Sequence, residues 1–105
     1  MTKGYLVVRA EVAAEADRTK FDEWYGTDHL PWAMRVFGAQ RGWRSWSRSD
    51  PAVHYAFYEF ADVAQAQKLI RSDAIKPLVA DFDRVWGMRV TRRREILEVV
   101  QELAR

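Results

Sequence analysis

The chain has 105 residues, two histidines, no cysteine, and seventeen Lys and Arg against fifteen Asp and Glu, for a formal net charge of +2. That length suits one domain, residues 1–105, around one modest core, and the absence of cysteine excludes disulfides, thiolate nucleophiles and Cys-based metal sites, which makes a cytoplasmic location the simplest expectation. Charge this balanced and this mixed along the chain gives no basis for a nucleic-acid partner, and no apolar run approaches the roughly 18 residues of a membrane span.

Gly4 to Val12 alternates, with Leu6, Val8, Ala10 and Val12 on one side and Tyr5, Val7, Arg9 and Glu11 on the other, which reads as a strand with two different faces. Glu15 to Asp28 follows as an amphipathic helix in which Phe21, Trp24, Tyr25 and His29 share one face at spacings of three and four. Pro31 disfavours helical dihedrals at Leu30, so His29 is expected at a helix end, where the dipole favours a cationic imidazole. A second short helix carries Leu30, Ala33, Met34 and Phe37 and stops at Gly38. Gln40 to Arg48 is the second strand, with Arg41, Trp43 and Ser45 opposed to Gly42, Arg44 and Trp46. Asp50-Pro51 turns the chain into Val53 to Phe60, a β-rich run expected to pair antiparallel with the strand before it.

Asp62 can cap a helix through Arg71, and Ser72 or Asp73 can open another that carries Ile75, Leu78, Val79, Phe82 and Trp86 and ends at Gly87. Pro77 fits only the first turn of that helix. Met88 to Val100 reads as the last strand, although Glu95 to Leu103 also fits a helix. The order β-α-β-β-α-β gives an α+β, ferredoxin-like subunit, a four-stranded antiparallel sheet with helices on one face. The other face would bear Tyr5, Val7, strand-two tryptophans and strand-three aromatics, more apolar surface than a monomer leaves in water, so a homodimer closed as an α/β barrel is expected.

Trp24-Tyr25 followed by Asp28-His29-Leu30-Pro31, an apolar helix to Gly38 and an Arg/Trp-rich strand resembles the EthD-like branch of the dimeric α/β-barrel superfamily. The order of elements agrees along the whole chain, and the specific part runs from Phe21 to about Trp46. The resemblance implies a homodimer and a cleft between helices and sheet that accepts a small organic molecule, with the histidine near its mouth. Relatives include cofactor-free quinone-forming monooxygenases, polyketide cyclases, muconolactone isomerases and haem-degrading enzymes, so the fold narrows the reaction little.

His29 reads either as a general acid/base at a pocket or as a helix-end residue bonding a free carbonyl, and adjacent Asp28 points elsewhere on the helix. Trp24 and Tyr25 fit core packing as well as ligand contact. One of the pairs Arg41/Trp43 and Arg44/Trp46 must face the interior, where an arginine among aromatic walls would favour an anionic or carbonyl-bearing aromatic ligand; the competing reading pairs the arginine with Glu11 or Glu59 across the sheet. His54 reads as a sheet-face histidine, and Arg92-Arg93-Arg94 as a solvated edge. The two histidines form no close-spaced metal pair, and nothing beyond His29 offers itself to haem iron. The sequence thus favours a small enzyme or enzyme-like protein without cofactor or metal, acting on a small aromatic or polyketide-like metabolite. His29 and Tyr25 are its candidate catalytic residues, and Trp24, Arg41, Trp43 and Trp46 its candidate substrate contacts. The alternative is a non-catalytic dimeric module.

Overall fold

The computed structural model describes residues 2–105. Strand β1, Gly4–Val12, lies inside the sheet and is flanked on both sides along nearly its whole length. It pairs antiparallel with β3, Val53–Phe60, in a register that sets Leu6 against Tyr58 and Ala10 against His54. Its other side takes β4, Val90–Glu98, from Val12 opposite Val90 to Gly4 opposite Glu98. Strand β2, Arg41–Trp46, closes the order β2-β3-β1-β4, with Trp43 opposite Phe57 and Trp46 opposite His54. This is the ferredoxin-like arrangement, with the helices gathered on one sheet face. The helical alternative for Glu95 to Leu103 is not taken, because residues through Glu98 add to the open side of β1 instead.

The inward phase of β1 is the one its alternation indicates: Leu6, Ala10 and Val12 are all but inaccessible. With Ala56, Tyr58 and Phe60 from β3 they meet Phe21 and Tyr25 from the first helical segment and Leu78, Phe82 and Trp86 from the last. Fully burying a side chain of this size contributes about 1.5–3 kcal/mol, so this aromatic layer is the main source of cohesion between sheet and helices.

Helix α1, Glu15–Trp24, carries Glu15 and Asp17 in its first turn, where negative charge suits the dipole. Helix α2, Leu30–Phe37, ends at Gly38, whose φ of 71° is the left-handed conformation that favours glycine. Helix α3, Val63–Ile70, is capped by Asp62, whose carboxylate accepts from the Gln65 N–H at 2.9 Å. A 3₁₀ turn, Asp73–Ile75, then leads into α4, Lys76–Trp86, with Pro77 in its first turn as the sequence requires. Among the described residues, no helix is long and apolar enough to cross a membrane.

The expectation of a helix end at His29 is corrected. Between α1 and α2 the chain makes a π-turn, Tyr25–His29, and stays helical throughout, with Leu30 at φ −64° and ψ −46° despite the proline that follows. The Leu30 N–H donates to the Tyr25 carbonyl, one residue further back than in an α-helix. Thr27 returns its hydroxyl to the Glu23 carbonyl at 2.8 Å and occupies an acceptor inside the turn. Pro31 has no N–H to place, so the wider turn absorbs it without loss. His29 therefore sits within a helix, and no C-terminal dipole acts on it.

Candidate functional site

The π-turn brings Tyr25 and His29 onto the inner side of the helical layer, both buried. The His29 ring stacks on Trp24, with centroids 4.7 Å apart and planes at 24°, and meets Tyr25 edge-on at 4.8 Å and Phe82 edge-on at 5.6 Å. Its Nδ1 is buried without a hydrogen-bond partner. The helix-end contact to a free carbonyl is therefore not made through this nitrogen.

His29 borders a cavity between helices and sheet. Leu6, Val8 and Tyr58 form its floor, Phe37, Leu78 and Phe82 its roof, and Tyr25, His29, Arg92 and Arg94 its polar edge. The cavity is small, about 30 Å³, and opens at a mouth between helices and sheet. The Tyr25 and Tyr58 hydroxyls lie 3.5 Å apart, and either can donate.

Burial dominates the acid–base properties of the site. It lowers His29 to about 4, helped by the positive charge of Arg92 and opposed by Asp81, so the imidazole is neutral at neutral pH. It pushes Tyr25 up to about 12, and Tyr58 well above the usual phenol value, so both hydroxyls keep their protons. The cationic imidazole expected of a helix end is thus replaced by a neutral one, because desolvation acts where the dipole does not.

The other candidate residues do not converge here. Trp24 lies half-buried behind His29 and touches Phe82 and Trp86 edge-on, so it supports the imidazole from the side away from the cavity. Arg41 and Trp43 stand on the opposite sheet face, where Arg41 pairs with Glu59 at 3.8 Å and lies 5.2 Å from the Trp43 ring centroid. Trp46 is on the helix side but at the far end, donating from Nε1 to Asp22 at 2.8 Å. Arg44 joins it there, 2.9 Å from Asp22, with Nη1 3.3 Å from Nε2 of His54. A guanidinium only donates, so Nε2 of His54 accepts and the ring is neutral. His54 is a sheet-face histidine on the helix side of β3, fully buried and lowered to about 4 by burial and by Arg44.

Sequence reasoning missed Tyr58 and Arg92. Arg92 is not part of a solvated edge: its side chain is 18% exposed, and its guanidinium carbon lies 3.8 Å from the centroid of Phe82. The alternation of β4 held the signal, since Arg92 and Arg94 share the phase of inward Val90 and Ile96, whereas Arg93 has the other phase, opposite Arg9. Among the described residues, no group of three or more His, Cys, Asp or Glu is placed to hold a metal ion.

No family model matches the chain, and no curated protein matches it. Solved structures do. An EthD family protein from Bacillus halodurans is 19% identical, over 90% of this chain and 97% of its own, with a TM-score of 0.65. SnoaB, a cofactor-independent oxygenase from Streptomyces nogalater, is 13% identical over the whole of both chains, with a TM-score of 0.70. A dimeric ferredoxin-like protein from an uncultured marine organism is 15% identical, over 98% of this chain and all of its own, with a TM-score of 0.63. At such identities the likeness is one of fold, and it extends over nearly the full length.

Proposed function

We propose that the protein is a small, homodimeric, cofactor-independent enzyme that moves a proton on an activated aromatic or polyketide-like metabolite bound between helices and sheet. The observation that carries this reading is His29: a neutral, buried imidazole with an unpartnered nitrogen, at the edge of an aromatic-lined cavity and in contact with a protonated tyrosine. A ring lowered to about 4 is free to accept a proton at neutral pH but is a weak base, so the substrate must be acidified already, as an enolisable phenolic ketone or β-dicarbonyl is. His29 would take the proton from carbon, leaving an enolate whose oxygen accepts a hydrogen bond from Tyr25. The imidazolium would return the proton at another atom, so nothing else is consumed. Such a transfer is worth about 10²–10⁴-fold. The cofactor-independent oxygenase among the structural neighbours supports chemistry performed by side chains on this fold.

The homodimer belongs to the same reading. On the face away from the helices, Trp43 stacks on Phe57 at 5.3 Å, Phe57 on Tyr55 at 6.0 Å, and Tyr5 meets Trp43 edge-on at 5.9 Å. A second copy would cover this aromatic row. The neighbour described as a dimeric ferredoxin-like protein supports that pairing, and the cysteine-free sequence supports a cytoplasmic location. In this assembly Arg41 and Trp43 are interface residues rather than substrate contacts.

One observation favours a second reading, a non-catalytic dimeric module: a cavity of about 30 Å³ holds no more than a water or two unless its walls move. Hydrogen–deuterium exchange at the enolisable methyl of hydroxyacetophenone, followed by NMR in D₂O, separates the two. Faster exchange with the wild type than with His29→Asn supports proton transfer. Equal rates for wild type, variant and buffer refute it.

A further inference from the structure

We propose that the cleft selects an aromatic acid, with Arg92 gripping the carboxylate and Arg94 adding positive charge at the mouth. This rests on the helix–sheet cleft being the small-molecule site and names the class of molecule it takes. Arg92 enters the cavity edge from β4 with its guanidinium carbon 3.8 Å from the Phe82 centroid, so one planar face is fixed on an aromatic roof residue. Among the described residues, one ion pair engages these two guanidiniums, Arg92 Nη2 to Asp83 at 3.3 Å, and Asp83 is itself 66% exposed. A single long contact to a solvated carboxylate leaves most of the five N–H donors of Arg92 for another acceptor.

The surroundings are positive as well. The hollow beside the cavity shares Ile75, Val79 and Arg94 with it and adds Arg71, Lys76 and Asp83 to its rim, Lys76 being paired with Asp73 at 2.7 Å. Arg94, Arg71 and Lys76 are exposed, so the costly charge at this edge is the largely buried guanidinium of Arg92, and an anion against it would offset that cost. The rest of the cavity offers apolar walls and phenolic hydroxyls, which suit a ring rather than a polar body. A carboxylate meets a guanidinium fork through two parallel bonds, so a flat ring bearing one matches both parts of the site. An anion beside Arg92 would also weaken the positive field that, after burial, disfavours protonation of His29.

The test compares benzoate with its neutral isostere benzamide by NMR titration of the full chain at low salt. Benzoate should bind at the cleft about tenfold or more tightly than benzamide, the factor expected of one charge-assisted pair. Arg92→Gln should remove most of that preference, and Arg92→Lys, which keeps the charge without the fork, should retain part of it. Arg93→Gln, on the opposite face, should behave as wild type. If Arg92→Gln does not fold by circular dichroism, the wild-type comparison and the Arg92→Lys variant still decide. Benzamide binding as tightly as benzoate overturns the carboxylate assignment and leaves the proton-transfer reading standing. So does benzoate binding that ignores Arg92, or failure of benzoate to shift cleft resonances. Loss of the His29-dependent exchange with the benzoate preference intact overturns proton transfer alone.

Discussion

Two buried neutral imidazoles make this fold labile to acid, and their surroundings set the size of the effect. His29 and His54 are 7% and 0% exposed, and burial, then Arg92 beside the first and Arg44 beside the second, lowers each from 6.5 to about 4. Asp81 and Asp22 pull the other way but do not prevail. In the unfolded chain both rings return to about 6.5. Between about pH 6.5 and 4 the unfolded state therefore binds more protons than the folded one, and stability rises with pH. The full contribution is present above about 6.5 and is lost progressively as the pH falls toward 4. At about 1.4 kcal/mol for each tenfold change, each ring costs about 3 kcal/mol by the acid end, and the two together rival a typical domain stability of about 5–15 kcal/mol. Thermal unfolding followed by circular dichroism from pH 8 to 4 should show a plateau above pH 7 and a steep fall in Tm below 6. Titration of the two imidazole C–H resonances should give midpoints near 4. A flat Tm between pH 7 and 4.5, or midpoints near 6.5, would refute the burial of neutral rings.

Trp24→Ala removes the ring on which His29 stacks; Trp to Ala core changes cost about 3–5 kcal/mol, so even a half-buried indole should lower Tm by about 10 °C or more. A neutral result by calorimetry would mean that Trp24 packs against nothing that matters. Gly4→Ala places a Cβ 2.8 Å from the Val63 Cα, a backbone atom at the start of α3 that cannot swing aside, so chemical denaturation should show a loss of about 1–3 kcal/mol. No loss would mean that β1 and α3 are further apart than described. Sedimentation at micromolar concentration should give a dimer, and Trp43→Asp should give a monomer that is still folded. A monodisperse wild-type monomer would remove the barrel.

The β-strand phases were legible because alternation is local: Leu6, Val8, Ala10 and Val12 announce their face without help. The stops at Gly38 and Gly87 were equally plain, since both glycines adopt positive φ. The π-turn was not legible, because the rule about the residue before proline is statistical and the Thr27 hydroxyl, the missing Pro31 N–H and the burial of Tyr25 and His29 together outweigh it. That one difference reverses the charge expected on His29. Strand two offered two arginine–tryptophan pairs, and only its register with β3, Trp46 opposite His54 and Trp43 opposite Phe57, decides which lies inward. Arg92 stayed hidden because three consecutive arginines look like solvated surface, while the strand period sends alternate members to opposite faces. The part of the site on the first helix was thus readable, the phase of β4 already pointed to Arg92, and only the placing of β3 beside them depended on long-range pairing.

The most direct measurement is the His29→Asn variant, followed for stability by thermal unfolding at pH 7.5 and for ligand response by the cleft resonances during titration with hydroxyacetophenone. Asparagine keeps hydrogen-bonding capacity but does not titrate near neutral pH. We expect a moderate fall in melting temperature, from the lost stacking on Trp24 and the buried amide, together with loss of the catalysed exchange and an altered response of the residues around Tyr25 and Phe82. A large drop in melting temperature with exchange and ligand response intact would make His29 a structural residue and contradict the assignment of the cleft as a site of proton transfer.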